Sequence, residues 1–260
     1  MEQQFGVCRV SIAPLRSEPR DQAEIVSQLL FGDFVEITEK TEKWWRVKNA
    51  FDDYEGWMDF KQLELLSAES YVRYGNSNYL APAALNNSLI AEDGSRFYLG
   101  ASSSLPDFRD GYCHLGDKRF KVDFEPLQVN YKEPAGALSN LALFFQNAPY
   151  LWGGRTLFGI DCSGFVQSVF KMAGVKLKRD ASQQAEEGTL VDFLPEARMG
   201  DVAFFDNPEG RITHVGILLN HHEIIHASGK VRIDPIDDQG IFNKELNKYT
   251  HQLRIIKRFI

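Results

Sequence analysis

The sequence predicts an α+β protein in which two small β-barrel modules precede a domain that opens with helices and ends in antiparallel strands. Three observations predict it. Short runs of alternating apolar and polar residues, broken by turn residues, fill the N-terminal part. Apolar residues recur at helical spacing after residue 137. After Gly200 the pattern turns to β-rich runs joined by short turns, with none of the βα alternation of a parallel sheet.

Taken in order, Val7–Ile12 alternates, and Pro14 and Pro19 are expected to punctuate a loop. Ile25–Leu30, Phe34–Ile37, Trp44–Val47 and Gly56–Met58 follow as short strands, with a turn at Asp53–Gly56. Their spacing suits a small barrel over residues 1–66. Residues 67–131 read as a second, more divergent module. Phe97–Gly100, Tyr112–Leu115 and Arg119–Val122 are its expected strands, the last two forming a hairpin through Gly116-Asp117. The breaker cluster Lys132–Gly136 marks the boundary of a third domain over 137–260.

In that domain Leu138, Leu141, Leu143, Phe144 and Phe145 carry an amphipathic helix. Phe165, Val166, Val169, Phe170 and Met172 carry a second, which stops at Gly174. Val202–Phe205, Val215–Leu219, Glu223–His226 and Leu253–Ile256 are the expected strands.

Composition narrows the function. The 260 residues are 43% hydrophobic and 25% charged, an ordinary globular balance. A formal charge of -7 argues against a nucleic-acid partner. No apolar run reaches membrane-spanning length, and MEQQFGVCRV lacks a leader pattern, so a cytoplasmic location is expected, with export the alternative if a leader has been removed. The three cysteines lack a CxxC spacing, which disfavours a disulfide framework or a zinc site, and neither metal nor cofactor is expected.

Cys162 stands apart from Cys8 and Cys113, which read as core residues. It follows Tyr150-Leu151-Trp152-Gly153-Gly154, sits in Asp161-Cys162-Ser163-Gly164, and falls at the start of the second helix. Unpaired N–H groups there favour a thiolate, the reactive form of cysteine. His214 opens one strand and His226 closes the next, so pairing brings the two together. The expected unit is Cys162 as nucleophile, His214 as base then acid, and His226 as orienter. The Cys162 N–H and the Tyr150 hydroxyl are candidate oxyanion donors. Asp161 is equally suited to capping the helix. Trp152 reads as packing or as the floor of a cleft. His221 and His222 read as a solvated turn, and His114 and His251 carry no signal.

The segments PYLWGG, DCSGFV, GDVAFF, THVGILL and IIHASG, in that order, resemble the NlpC-type (p-sixty) cell-wall cysteine peptidases over residues 137–260. The first sixty residues resemble a bacterial SH3-like domain. The resemblance implies a papain-like catalytic domain and hydrolysis of the γ-D-glutamyl–diamino acid bond of peptidoglycan stem peptides. The layout as a whole resembles enzymes of murein-peptide recycling, which require a free N-terminal L-Ala. That implies a tripeptide or tetrapeptide substrate whose amine is held by Asp161, Tyr54 and Glu18, with Glu24 and Glu55 as rivals for the acidic place. Ser163, Asp180 and Ser182 would line the cleft, although Ala181 stands where recycling enzymes can carry serine. The competing expectations are an endopeptidase on polymeric peptidoglycan, a catalytically silent wall-binding protein, and an acyltransferase.

Overall fold

The computed structural model describes residues 3–75, 77–132 and 138–260. It divides into two compact units, Met1–Tyr131 and Lys132–Ile260. Most of the expected boundary, Glu133–Gly136, lies outside the described residues.

In the first unit, strands β1 (Gln4–Cys8), β2 (Ile12–Arg16), β3 (Ile25–Leu30), β4 (Phe34–Lys40), β5 (Trp44–Asn49), β6 (Glu55–Asp59) and β7 (Leu63–Leu66) form one antiparallel sheet. Their order is β3-β2-β6-β5-β4-β1-β7. Alternation turns Cys8, Ala13, Leu15, Leu29, Val35, Val47 and Met58 into a buried core. The predicted run Val7–Ile12 is broken into two strands, and Pro14 lies within β2 instead of in a loop. β2 meets β6 only at Arg16–Trp57, so the N–H that proline lacks costs this strand no ladder bond on that side.

Residues 67–131 add a helix that sequence spacing did not reveal, α1 (Ala68–Gly75), and the strands β8 (Tyr79–Leu80), β9 (Ser88–Ala91), β10 (Arg96–Tyr98), β11 (Tyr112–Leu115), β12 (Lys118–Val122) and β13 (Leu127–Gln128). They form a four-stranded sheet, β10-β9-β12-β11, and a separate pair, β13-β8, an arrangement unlike that of the first sheet. The predicted hairpin is present, with Leu115 opposite Lys118. Val7 and Phe31 pack with Leu89, Leu99, Cys113 and Phe120 in one core.

The second unit opens with α2 (Leu138–Phe144). A two-stranded hairpin follows, β14 (Arg155–Thr156) and β15 (Gly159–Ile160), and then α3 (Cys162–Met172) and the short α4 (Ala181–Gln184). Every residue of α3 is buried, which explains its apolar sequence. The strands β16 (Thr189–Val191), β17 (Val202–Asp206), β18 (Ile212–Asn220), β19 (Glu223–Ser228), β20 (Lys230–Asp237), β21 (Gly240–Asn243) and β22 (Lys248–Arg258) run in the order β16-β22-β17-β18-β19-β20-β21. A further pairing of β21 with β22 closes the last six into a barrel. Its interior holds Phe205, Leu218, Ile224, Ile236, Ile241 and Ile256.

No helix among the described residues is long and apolar enough to cross a membrane.

Candidate active site

Strand periodicity extends the barrel core into a polar cluster. Side chains two or four residues apart on a strand share a face. His214 is therefore on the face of Leu218, His226 on that of Ile224, Asp234 on that of Ile236, and His251 on that of Leu253, which packs against the same core. Four strands thus end their apolar stripes in four polar residues.

Gly216 makes the approach of the two predicted histidines possible. It lies directly opposite His226 in the β18–β19 register. A Cβ there would fall 2.8 Å from His226 Cβ and 2.8 Å from Ile224 Cδ1. With no side chain in the way, His214 Nε2 comes within 2.8 Å of His226 Nδ1. The second nitrogen of His226 lies 3.0 Å from Asp234 Oδ2. Asp234 is held in turn by Arg232, at 2.7 Å from Nε and 3.0 Å from Nη2. Arg232 also reaches Glu245 at 3.1 Å. Burial alone would raise the Asp234 carboxyl, but hydrogen bonds from His226 and Arg232 hold it below the usual carboxylate range.

His251 belongs to the same cluster, contrary to its silence in the sequence. Its ring stacks on that of His214 with centroids 4.0 Å apart and a tilt of 25°. His214, His226 and His251 each bring a ring nitrogen within 4.8 Å of the others, as metal ligands would. Both nitrogens of His226 are already engaged, so a cation would have to displace the bonds to His214 or Asp234.

Cys162 is the first residue of α3, which packs against β18. The N–H groups of Val215 and Ser163 point at its sulfur, and Val215 is the neighbour of His214. The helix tip and the histidine strand therefore meet at the thiol. The expectation of a resting thiolate is corrected, however. Burial pushes the Cys162 thiol up to about 12, aided by the Asp161 charge and opposed by the two N–H groups and by Arg179. Burial likewise drives His214 well below the usual histidine range, with the adjacent His251 and His226 adding to the effect. Each group is neutral by itself, and charge separates only when the proton passes between them.

Asp161 is fully occupied. As the cap of α3 it accepts from Gly164 N–H at 2.7 Å, and it also accepts from Gly153 N–H at 2.8 Å. Arg179, only 1% exposed, pairs with both carboxylate oxygens at 3.1 and 2.6 Å. Arg179 also donates to Ser163 Oγ at 2.9 Å. The Tyr150 hydroxyl lies near Cys162. Burial pushes it up to about 12, the Asp161 charge adds to the rise and a thiolate at Cys162 would add more, so it stays protonated and able to donate.

Asp180 caps α4, and its N–H donates to Gln183 Oε1 at 3.3 Å. Ser182 is exposed on α4, whereas Ala181 is buried. Trp152 is 59% exposed and lies outside the buried core. His221 and His222 form an exposed turn. Glu18 and Tyr54 belong to the first unit. Glu18 is exposed and pairs with Arg20 at 3.0 Å, while Tyr54 is half-buried in the turn before β6. Of the rival acids, Glu55 pairs with Arg46 at 2.9 Å.

A buried cysteine at a helix tip beside a hydrogen-bonded histidine pair, on an α+β domain closed by a strand barrel, is the plan of a cysteine peptidase. The family model described as NlpC/P60 family matches residues 147–250, and that of the bacterial dipeptidyl-peptidase Sh3 domain matches residues 15–63. A γ-D-glutamyl-L-lysine dipeptidyl-peptidase of Bacillus subtilis is 32% identical over 240 residues, covering 85% of this chain and 79% of its own. Dipeptidyl-peptidase 6 of Lysinibacillus sphaericus is 26% identical, covering 88% of this chain and 90% of its own. The crystal structure of an NlpC/P60 family protein from Bacillus cereus superposes with a TM-score of 0.79 at 20% identity, covering 98% of this chain and 99% of its own. The chain belongs to the NlpC/P60 family of cysteine peptidases, with an SH3-like domain at its N-terminal side.

Proposed function

We propose that this enzyme hydrolyses the γ-D-glutamyl–diamino acid bond of small murein peptides with a free N-terminal L-Ala, releasing a dipeptide. The observation that carries the reading is the likeness, over most of both chains, to relatives named for the γ-D-glutamyl-L-lysine bond. We read residues 67–131 as a divergent second SH3-like module, the catalytic domain as 137–260, and the working compartment as the cytoplasm, where recycled peptides are met.

In the proposed mechanism Cys162 is the nucleophile. As Sγ attacks the γ-carbonyl carbon, the thiol proton passes to His214 and the carbonyl oxygen becomes an oxyanion. The Cys162 N–H and the Tyr150 hydroxyl donate to that oxygen. Collapse expels the amine of the diamino acid, which takes its proton from His214. Water, deprotonated by His214, then cleaves the thioester and restores the thiol. His226 keeps the His214 ring in place, a role supported by their 2.8 Å bond. Ser163, Asp180 and Ser182 line the cleft. Glu18, Tyr54 and Asp161 take the substrate's ammonium, which selects released peptides over polymer.

The test is incubation of the purified chain with L-Ala-γ-D-Glu-diaminopimelate and with the lysine analogue, scoring L-Ala-γ-D-Glu release. Cleavage that Cys162→Ala abolishes, and that N-acetylation of the substrate suppresses, is the expected outcome. Equal rates on acetylated and free peptides would favour an enzyme of polymeric peptidoglycan. Survival of cleavage in Cys162→Ala would reject the nucleophile.

A further inference from the structure

We infer that Asp234 is a fourth member of the site, a positioning residue that sets the tautomers of both histidines so that the bare nitrogen of His214 faces the Cys162 thiol. This rests on the roles proposed above for Cys162, His214 and His226.

Protons can be counted along this buried chain of side chains. Asp234 is 3% exposed, and the Arg232 guanidinium lies 2.7 Å from Oδ2 and donates to Oδ1 at 3.0 Å. Such a partner keeps the carboxyl ionised, so it can only accept. His226 Nε2, 3.0 Å from Oδ2, must then carry the ring proton. A neutral imidazole has one N–H, which leaves His226 Nδ1 with a lone pair. His214 Nε2, at 2.8 Å, must therefore donate to it. The remaining nitrogen of His214, Nδ1, is bare. A ring in the opposite tautomer would present an N–H to the thiol and could not accept its proton.

The same chain acts when the proton moves. The S–H bond breaks, an N–H bond forms at His214 Nδ1, and the imidazolium charge strengthens the bond from Nε2 to His226. No proton needs to reach Asp234. The charges behind His226 are Arg232, Asp234 and Glu245, which sum to minus one and favour an imidazolium. Neutral His251 faces His214 from β22, and Asp161 and Arg179 flank Cys162 from the helix side.

Two experiments test this on the full chain. In Cys162→Ala at neutral pH, long-range proton–nitrogen NMR of the imidazoles should find both His214 and His226 as Nε2–H tautomers. An Nδ1–H tautomer on either ring overturns the inference. In Asp234→Asn, kcat/KM should fall about 10–100-fold, mostly in kcat. Alkylation of Cys162 by iodoacetamide should shift to higher pH, because the ion pair loses its supporting charge. Wild-type kcat together with a wild-type alkylation curve also overturns it. If Asp234→Asn does not fold, the NMR experiment decides, since it keeps Asp234. Failure of the unaltered chain to cleave murein peptide would reject the proposed substrate, yet leave the tautomers and the alkylation curve as tests of Asp234.

Discussion

The His251 ring covers one face of His214, with centroids 4.0 Å apart and planes within 25° of parallel. The edge of His214 is already held by His226, so the stack removes the remaining freedom of the base. His251→Ala should leave the base free to rotate away from the thiol, lowering kcat about tenfold while KM changes little, since misplacement of a reacting group acts on the chemical step. His251→Phe keeps an aromatic face and should recover most of the loss. Steady-state kinetics of the two variants check this, and equal losses would deny the stack its positioning role.

Gly216 offers a second handle on the same histidines. It is the strand position over which His226 lies, and a methyl there meets His226 Cβ and Ile224 Cδ1 at 2.8 Å. Ile224 Cδ1 is a side-chain end that can turn aside, but His226 Cβ is tied to its backbone and cannot. Gly216→Ala should cost about 1–3 kcal/mol of stability through overpacking and separate the two rings. Denaturant unfolding and peptide cleavage should both register it.

How much of this was readable beforehand follows from where each residue stands. Cys162, His214 and His226 lie in short segments rich in glycine and apolar residues, whose order is itself a signal. Asp234 is on β20, in KVRIDPID, where charges and Pro235 hide a strand pattern. His251 lies in the polar stretch Lys248–Gln252, and the pairing of β22 with β21 and β17 brings it into the barrel. The first barrel was legible from its alternation. α1 was not, because AESYVRYG is too short and too polar to declare a buried stripe. The neutral state of the thiol was also out of reach, since a helix tip can be read from sequence and its burial cannot.

The pair formed by Asp161 and Arg179 predicts a large loss on cutting one side. Arg179 is 1% exposed and reaches both oxygens of the residue that caps α3. Arg179→Met would leave a buried carboxylate with its backbone donors alone. Removing one partner of such a pair costs about 3–5 kcal/mol. Thermal unfolding should show this fall, and Cys162 should become more accessible to thiol reagents as the first turn of α3 loosens. Arg179→Lys should recover part of the stability, because lysine restores the charge without the two-pronged contact.

Acid should weaken the catalytic domain in a defined window. Burial, with His226 adding, holds His251 at about 4, against an ordinary value of 6.5, and His214 is lowered for similar reasons. Well above 6.5 both residues are neutral whether the chain is folded or not, and they contribute nothing to a pH dependence. Below 6.5 the unfolded chain takes up protons that the folded chain refuses, so stability falls as pH falls. The His251 share of that loss is complete once the pH passes below about 4, where the folded ring is protonated too. His251→Phe removes this share, so melting temperatures measured from pH 7 to 4 should decline less steeply than in the unaltered chain. Parallel declines would mean that His251 titrates normally in the folded protein, and its place in the buried cluster would have to be given up.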